Sequence, residues 1–205
     1  MSHPYYPQDL FIPDYVPNLK SQLELFLIMG GVFVCLATVF YRLGKNSGSP
    51  LKFIWFMICG LLHCGFELYY ALNVGHIASQ NNLLAQLWKE YAKGDSRYVI
   101  YDPSLLALEI MTIIIYGPLC FLTAYTIWIK SSKQYFFQLV VSMCHLLSCS
   151  LYFLTELPDA AHCHPAYFWG YFLSMNAPWV IIPLLWIVQS YKHINRAFEN
   201  RIKVE

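Results

Sequence analysis

The chain has 205 residues, of which 58% are hydrophobic, 18% are aromatic and only 12% are charged. Together with a mean hydropathy of +0.44, this composition excludes an ordinary soluble domain and predicts a membrane protein. The formal net charge of +1 provides no basic surface, so we expect no nucleic-acid partner.

Five apolar runs are long enough to cross a bilayer, which requires about 20 residues of helix. They cover residues 23–41, 51–73, 104–129, 135–155 and 166–191. No internal repeat is visible in the sequence. We therefore expect an all-α membrane protein whose five transmembrane helices form a single domain over residues 1–205.

Two stretches outside the apolar runs have patterns of their own. Residues 1–18 contain four prolines and several tyrosines but not the basic and apolar regions of a signal peptide. They predict an arm that is ordered or lies along the membrane interface, with its aromatic side chains at the level of the lipid headgroups. The connector at 74–103 contains LWKEYAKGDSRY, an amphipathic segment that predicts a short interfacial helix followed by a loop.

Lysine and arginine are divided unevenly between the two sides that five spans define. The N-terminal arm and the second and fourth connectors carry four of them, whereas the first and third connectors and the C-terminal tail carry nine. Cytoplasmic segments of membrane proteins are enriched in positive charge. We therefore expect the N-terminus in the lumen or outside and the C-terminus in the cytoplasm.

Three pairs of polar or aromatic side chains lie within the apolar runs, each at a spacing of three or four residues that places both members on one helix face. The pairs are His63 and Glu67, Glu109 and Thr112, and Asn176 and Trp179. A charge at the centre of a membrane helix costs about 2.5–3.5 kcal/mol on insertion scales, so such residues are usually functional. Counting about 1.5 Å per residue places all three pairs in one layer, from the middle of the membrane to its luminal half. The sequence therefore predicts one buried site.

Two buried carboxyls beside a histidine supply an acid and a base that are shielded from water. A tryptophan face in the same cavity stabilises a nearby cation by roughly 0.5–2 kcal/mol. This combination favours proton addition and proton removal on a lipid, through a carbocation. Nucleotide fingerprints such as GxGxxG do not occur in the sequence, and no cofactor is expected.

Several of these residues also have a simpler interpretation. Taken singly, Glu67, Glu109 or His63 could serve only to hydrogen-bond packed helices. Tyr152 and Glu156 on the fourth run either line the same cavity or mark the interfacial end of that helix.

The cysteines and loop histidines do not form an obvious site. Six of the seven cysteines lie in apolar runs, where they pack as small hydrophobic side chains. His162, Cys163 and His164 resemble metal ligands, but three adjacent loop residues cannot easily converge on one ion. We therefore expect no metal site.

The segment LLAQLWKEYAKGDSRY at 83–98 resembles the signature of the emopamil-binding protein family of 3β-hydroxysteroid Δ8-Δ7 isomerases. Further stretches agree in the same order along the chain, namely HPYYPQDL, LLHCGFE, LEIMT, LYFLTE and HPAYFWGYFLSMNAPW. The resemblance covers nearly the whole chain and implies five membrane helices that enclose an intramembrane sterol cavity. The wider family includes the sigma-2 receptor.

The resemblance implies a set of catalytic residues that coincides with the three pairs. They are His63, Glu67, Glu109, Thr112, Asn176 and Trp179. In such an isomerase a proton adds at sterol C9, a cation forms at C8 and a proton leaves C7, so that the double bond moves from C8=C9 to C7=C8. We expect Trp179 to stabilise the cation, and Tyr152 and Trp179 to contact the substrate.

The other residues of this set are expected to transfer protons or to orient the groups that do. Glu67, coupled to His63, and Glu109 form the donor and acceptor pair, with the assignment between them open. Asn176 and Thr112 are expected to orient the two carboxyls.

Two alternatives of other classes remain. A non-catalytic protein that binds sterols or cationic amphiphiles, similar to the sigma-2 receptor, needs the cavity and one buried acid but not an acid with a base. A proton-coupled transporter also uses intramembrane carboxyls, although five spans without a repeat disfavour it.

The resemblance also bears on partners and location. The expected partners are a Δ8-sterol, cationic amphiphilic drugs, the lipid bilayer and a second copy of the chain in a homodimer. Arg201 and Lys203 near the C-terminus resemble a basic retrieval signal, and sterol chemistry fits the membrane of the endoplasmic reticulum.

Overall fold

The computed structural model describes residues 3–202, and within that range six helices have nine or more residues. They are α1 Gln22–Gly44, α2 Pro50–Asn73, α3 Leu83–Tyr91, α4 Pro103–Trp128, α5 Gln134–Ala160 and α6 Pro165–Ile202. All except α3 are long and apolar enough to cross a membrane. The predicted all-α fold class, with five helices able to cross a membrane, is therefore confirmed.

The last two long helices extend beyond their predicted ends. α5 continues to Ala160 and α6 to Ile202, because hydropathy marks only the apolar part of a helix and not where its hydrogen-bond ladder stops. Arg201 lies in the last turn of α6. Lys203, the other residue of the expected retrieval signal, lies outside the described residues.

Local sequence signals explain where the helices begin. Ser21 and Glu24 form a capping box at α1, in which the Ser21 amide donates to the Glu24 carboxylate at 2.7 Å. The Asp102 side chain accepts from the Leu105 amide at 2.7 Å and caps α4. Proline stands at the first position of α2, α4 and α6, where its missing N–H costs nothing.

The connector between α2 and α4, residues 74–102, folds back over one end of the bundle, and we call it the cap. The short helix that the sequence predicted is present as α3. Its setting is more buried than an interfacial helix, since Trp88 is 3% exposed and Tyr98 is 4% exposed. Trp88 stacks between Phe66 of α2 and Tyr98, at centroid distances of 4.3 and 4.7 Å. This aromatic stack fixes the cap to the bundle.

The N-terminal arm packs against the cap. The Val16 amide donates to the Ala78 carbonyl at 2.9 Å, and the Lys89 ammonium donates to the Val16 carbonyl at 2.7 Å. Burial lowers the pKa of Lys89 to about 8. The arm is ordered as predicted, and Tyr5, at 1% exposed, is packed within the protein. Buried polar groups of the cap need partners, and the arm supplies them.

An ion cluster joins the cap to α5. Arg97 donates to both carboxylate oxygens of Asp95, at 3.0 and 2.8 Å, and forms an ion pair of 2.7 Å with Glu156. The side chains of Asp95 and Glu156 are 1% and 3% exposed. Of the two roles that the sequence left open for Glu156, lining a cavity or marking the interfacial end of α5, the structure shows neither. Its buried carboxylate instead forms an ion pair with Arg97 of the cap.

Replacing Arg97 with alanine leaves two buried carboxylates without a counter-charge, which typically costs about 3–5 kcal/mol. We expect Arg97→Ala to lower the unfolding midpoint of the purified protein in detergent micelles by at least about 5 °C. Arg196→Ala, which removes an exposed arginine of α6, is the matched control and should leave the midpoint unchanged. Equal, small effects of both substitutions would contradict a structural role for the cluster.

Candidate functional site

A cavity of about 550 Å³ lies between the long helices beneath the cap, and all six helices contribute residues to its wall. Its volume falls within the range of roughly 300–1,000 Å³ that is usual for small-molecule sites. The three pairs singled out from the sequence all line it. They are His63 and Glu67, Glu109 and Thr112, and Asn176 and Trp179. Tyr152 lines the cavity as well.

Three π-helical stretches lie beside these residues in the described part of the chain. They are Leu62–Glu67 in α2, Thr112–Tyr116 in α4 and Phe168–Leu173 in α6. Such turns change which face a side chain occupies and are common at functional sites. Gly117 follows the second stretch and allows a close approach of α4 to α2. A Cβ at Gly117 would meet the Cys64 sulfur and lie 3.2 Å from the Cβ of His63.

His63 and Glu67 form a buried pair on α2. Nδ1 of His63 lies 2.8 and 2.7 Å from the two carboxylate oxygens of Glu67. Their side chains are 4% and 16% exposed. The pairing fixes the orientation of the imidazole and directs its other nitrogen, Nε2, away from Glu67.

Thr112 joins the two carboxyl-bearing helices. Its hydroxyl forms a short hydrogen bond with the Glu67 carboxyl, and it lies 2.7 Å from the backbone carbonyl of Glu109. A threonine hydroxyl has one proton to donate. Both bonds can therefore exist together when Glu67 is protonated and donates to Thr112, while Thr112 donates to the carbonyl.

The Glu109 carboxyl is held by the cap. Oε1 accepts from the Tyr98 hydroxyl at 2.6 Å, whereas Oε2 is buried without a hydrogen-bond partner among the described residues. Burial, and then the nearby Glu109 charge, raise the pKa of Tyr98 well above its usual value. Tyr98 therefore remains a hydrogen-bond donor across the ordinary pH range.

Asn176 is placed differently from the expectation. Its side-chain amide donates to the Tyr91 hydroxyl at 2.9 Å and to the Phe172 carbonyl at 2.7 Å. Neither bond reaches a carboxyl, so Asn176 does not orient Glu67 or Glu109 directly. It holds Tyr91, an aromatic residue of the cap, against the cavity.

Two aromatic side chains complete the wall. Trp179 packs against Trp55 with centroids 5.5 Å apart, and its indole nitrogen is buried without a partner. The Tyr152 hydroxyl lies 3.4 Å from that of Tyr91, and the Arg97 guanidinium lies 5.3 Å from the Tyr152 ring centroid. The cavity therefore has aromatic surface near the carboxyls.

The loop sequence at 162–164 does not resemble a metal site in three dimensions. The His162 ring stacks on Tyr6 with centroids 5.8 Å apart. Nδ1 of His164 accepts from the Ala166 amide at 3.2 Å. The side chains are used for local packing and helix capping.

Three residues at the site were not identified as such from the sequence. Tyr91 and Tyr98 belong to the cap, and no spacing along the apolar runs connects them to the carboxyls. His145 of α5 lies with its Nε2 3.0 Å from Nε2 of His63. One feature of the sequence could have identified His145. It lies seven residues before Tyr152 on the same predicted helix, a spacing that places both on one helix face.

Residues 83–190 match the family described as EXPERA (EXPanded EBP superfamily). The chain is 34% identical to the 3-beta-hydroxysteroid-Delta(8),Delta(7)-isomerase of Mus musculus, across 95% of this chain and 90% of that protein. It is 32% identical to a probable isomerase of the same name in Arabidopsis thaliana, with 95% and 90% covered. A protoglabretal synthase of Ailanthus altissima is 30% identical, with 97% and 94% covered. This chain belongs to the EXPERA superfamily.

The matched segment of this EXPERA protein covers the cap from α3 onward, α4, α5 and most of α6. It includes the site residues Glu109, Thr112, Asn176 and Trp179. His63 and Glu67 of α2 precede it. The similarity to full-length relatives, which spans nearly the whole chain, extends to α2 as well. This protein is thus a member of a family whose relatives include sterol isomerases, and it has five helices able to cross a membrane.

Removal of the Tyr98 hydroxyl leaves both oxygens of the buried Glu109 carboxyl without a protein partner. An unsatisfied buried group of this kind costs about 1–3 kcal/mol. We expect Tyr98→Phe to lower the unfolding midpoint in detergent, and Tyr101→Phe, at a tyrosine that is 63% exposed, to leave it unchanged. An unaltered midpoint in Tyr98→Phe would show that this hydrogen bond does not contribute to stability.

Proposed function

We propose that this protein is a sterol Δ8-Δ7 isomerase of the endoplasmic reticulum membrane. The observation that carries the proposal is the position of two carboxyls, Glu67 and Glu109, on the wall of one largely apolar cavity, with Thr112 of α4 hydrogen-bonded to the Glu67 carboxyl. Isomerisation of a double bond adds one proton and removes one. It therefore requires an acid and a base that are kept from water, and no redox cofactor.

The hydrogen bonds favour Glu67 as the proton donor. A protonated Glu67 satisfies Thr112 on one oxygen, while the other oxygen accepts from Nδ1 of His63. We therefore propose that Glu67 adds its proton to C9 of a Δ8-sterol. The electrons of the C8=C9 bond form the new C9–H bond, and a cation remains at C8.

Glu109 is the corresponding base. Its Oε2 has no protein partner and the residue lines the cavity, so that oxygen is available to a substrate hydrogen. Removal of a proton from C7 leaves the electron pair to form the C7=C8 bond. Both carboxyls line the same cavity. The proton can thus return to Glu67 after the product leaves, and the enzyme is restored.

Trp179 is proposed to stabilise the C8 cation with the face of its indole ring. A cation over a tryptophan face gains roughly 0.5–2 kcal/mol, more when water is excluded. Packing against Trp55 at 5.5 Å holds the ring in one orientation. Asn176 contributes indirectly, because it fixes Tyr91 and, through that residue, the wall beside Tyr152.

We also infer a topology and a domain organisation. The uneven distribution of lysine and arginine supports a luminal N-terminus and a cytoplasmic C-terminus. The contacts of the cap and the arm with the helices support a single domain. Cationic amphiphiles are further proposed ligands, because a protonated amine can imitate the sterol cation beside Trp179 and a carboxylate.

A second candidate keeps the chemistry and changes the substrate. A relative that is 30% identical is named protoglabretal synthase, so the substrate could be another polycyclic terpenoid skeleton. The cavity wall does not distinguish the two, since it consists mainly of apolar and aromatic side chains. Parallel assays with a Δ8-sterol and with a triterpenoid would decide between them.

Incubation of the purified protein with a Δ8-sterol in deuterated water tests the isomerase proposal. We expect a Δ7-sterol that carries one deuterium at C9, detected by mass spectrometry. Glu67→Gln and Glu109→Gln should each lower turnover by about 10²–10⁴-fold, because general acid and base catalysis contribute factors of this size. Glu199→Gln, at an exposed glutamate of α6, is the matched control.

The two Gln variants should remain folded, as judged by their unfolding midpoints. Near-normal turnover in either variant would exclude that carboxyl as a proton carrier. Unchanged sterol from a wild-type protein that still binds it tightly would instead support the non-catalytic, receptor-like alternative.

Trp179 has a separate test. Loss of the cation–π interaction corresponds to about 2- to 30-fold in rate. We expect Trp179→Ala to lose more turnover than that, since the wall also collapses, and Trp179→Phe to lose less. Trp128→Phe, at a tryptophan that is 55% exposed, should behave as wild type. Equal turnover in Trp179→Ala and wild type would contradict the role.

A further inference from the structure

A cluster of three buried side chains lies on the side of His63 that faces away from Glu67. His63, Cys120 and His145 come from α2, α4 and α5, and they are 3%, 0% and 1% exposed. One ligating atom from each residue lies within 4.8 Å of the other two. The proposed isomerisation makes no use of the thiol of Cys120 or the imidazole of His145.

The contact between His63 and Glu67 prepares the other nitrogen of His63 for a ligand. A proton on Nδ1, donated to Oε1 of Glu67 at 2.8 Å, leaves a lone pair on Nε2. Metal-binding histidines usually have this carboxylate partner on the second ring nitrogen, which sets the tautomer and strengthens the ligand. The pair thus has the orientation of a metal ligand with its supporting carboxylate.

The second histidine offers its nitrogen to the same point. Nε2 of His145 lies 3.0 Å from Nε2 of His63 and 3.7 Å from the sulfur of Cys120. Nδ1 of His145 is buried without a hydrogen-bond partner among the described residues. No protein group therefore requires that nitrogen to act as an acceptor, and the ring can hold its proton there while Nε2 acts as a ligand.

The distances are close to those of a tetrahedral zinc site. Zn–N bonds of about 2.0 Å and Zn–S bonds of about 2.3 Å separate two nitrogens by about 3.3 Å and a nitrogen from a sulfur by about 3.5 Å. The observed 3.0 and 3.7 Å differ from these values by a few tenths of an ångström. The third distance, between Nε2 of His63 and the Cys120 sulfur, is within 4.8 Å.

We propose that His63, Cys120 and His145 form a binding site for Zn²⁺ whose fourth position faces the cavity. Two imidazoles and a thiolate are the ligand types that zinc prefers, and they disfavour Mg²⁺ and Ca²⁺. Binding releases one proton from the Cys120 thiol, because the thiolate is the ligand. His63 and His145 both line the cavity, so an ion that enters the cavity reaches them.

Zinc at this position would inhibit turnover. It occupies Nε2 of His63, adds positive charge next to the Glu67 pair and disfavours a second cation on the substrate. This consequence rests on the proposed function, whereas binding of the metal does not. The two are therefore tested separately.

Titration of the purified, metal-free protein in detergent with Co²⁺ tests binding directly. Co²⁺ occupies zinc sites, and its absorption spectrum shows the geometry of the site and whether sulfur is a ligand. We expect the sulfur-to-cobalt charge-transfer band and the intense visible bands of tetrahedral cobalt, at one metal per chain, and their loss on addition of Zn²⁺. Weak bands of octahedral cobalt alone, in the wild-type protein, would overturn the proposal and leave a His63–His145 hydrogen bond.

Substitutions assign the ligands. Cys120→Ser should abolish the charge-transfer band, and His145→Gln should weaken zinc binding by more than about 100-fold. Glu67→Gln, which leaves the three proposed ligands in place but alters the hydrogen-bond partner of His63, should weaken zinc binding by about 10–100-fold. Cys149→Ser and His162→Gln remove a buried thiol and an imidazole outside the cluster and should bind zinc as wild type does.

Each variant is first checked for a single elution peak and an unfolding midpoint close to wild type. If Cys120→Ser does not fold, His145→Gln carries the test. Zinc affinity that is the same in wild type, Cys120→Ser and His145→Gln would overturn the site.

The functional consequence is measured in the isomerase assay. Micromolar zinc should inhibit the wild-type protein and spare Cys120→Ser, which retains basal turnover. Cobalt binding without inhibition would preserve the metal site and refute its effect on catalysis. Absence of any isomerase activity would leave the binding result standing and would count against the proposed function alone.

Discussion

A polar group inside this apolar bundle is stabilised by a partner within the protein, because lipid offers no hydrogen bonds. Glu67 has such partners in His63 and Thr112, and one carboxyl oxygen of Glu109 accepts a hydrogen bond from Tyr98. These bonds connect α2, α4 and the cap, which are the parts that enclose the cavity. The architecture around the site thus depends on satisfying two carboxyls away from water.

The cap also contributes to satisfying the buried carboxyls, because it supplies the hydroxyl that bonds Glu109. Were the connector at 74–102 to lie on the membrane surface, Glu109 would lose its hydroxyl donor and the cavity would open at one end. The stack of Phe66, Trp88 and Tyr98 closes that end instead, and Arg97 attaches the cap to α5. Stability and the proposed chemistry are therefore coupled, since the side chains that hold the cap also position a carboxyl.

His63 belongs to two networks at once. Its Nδ1 supports the Glu67 carboxyl, and its Nε2 meets His145 and the thiol of Cys120. A change at one nitrogen of an imidazole alters the basicity of the other. A group bound to Nε2 of His63 therefore influences the Glu67 carboxyl at Nδ1. The buried cluster is thus directly connected to the proposed proton donor.

The sequence by itself determined the five spans, the fold class and the six residues of the three pairs, because hydropathy and helical spacing are local properties. The tertiary structure decided which partners these residues have. Tyr98 reaches the site from the cap, and such a contact leaves no helical spacing to read. The spacing of His145 from Tyr152 indicates a shared helix face but not that His145 contacts His63. Asn176 shows most clearly what spacing along the sequence cannot predict. It was expected to orient a carboxyl, but it follows the π-helical stretch Phe168–Leu173 and bonds Tyr91 instead. Asn176 lines the cavity as its spacing predicted, but the groups within reach of its amide depend on how α6 packs against the cap, and helical spacing carries no information about that packing.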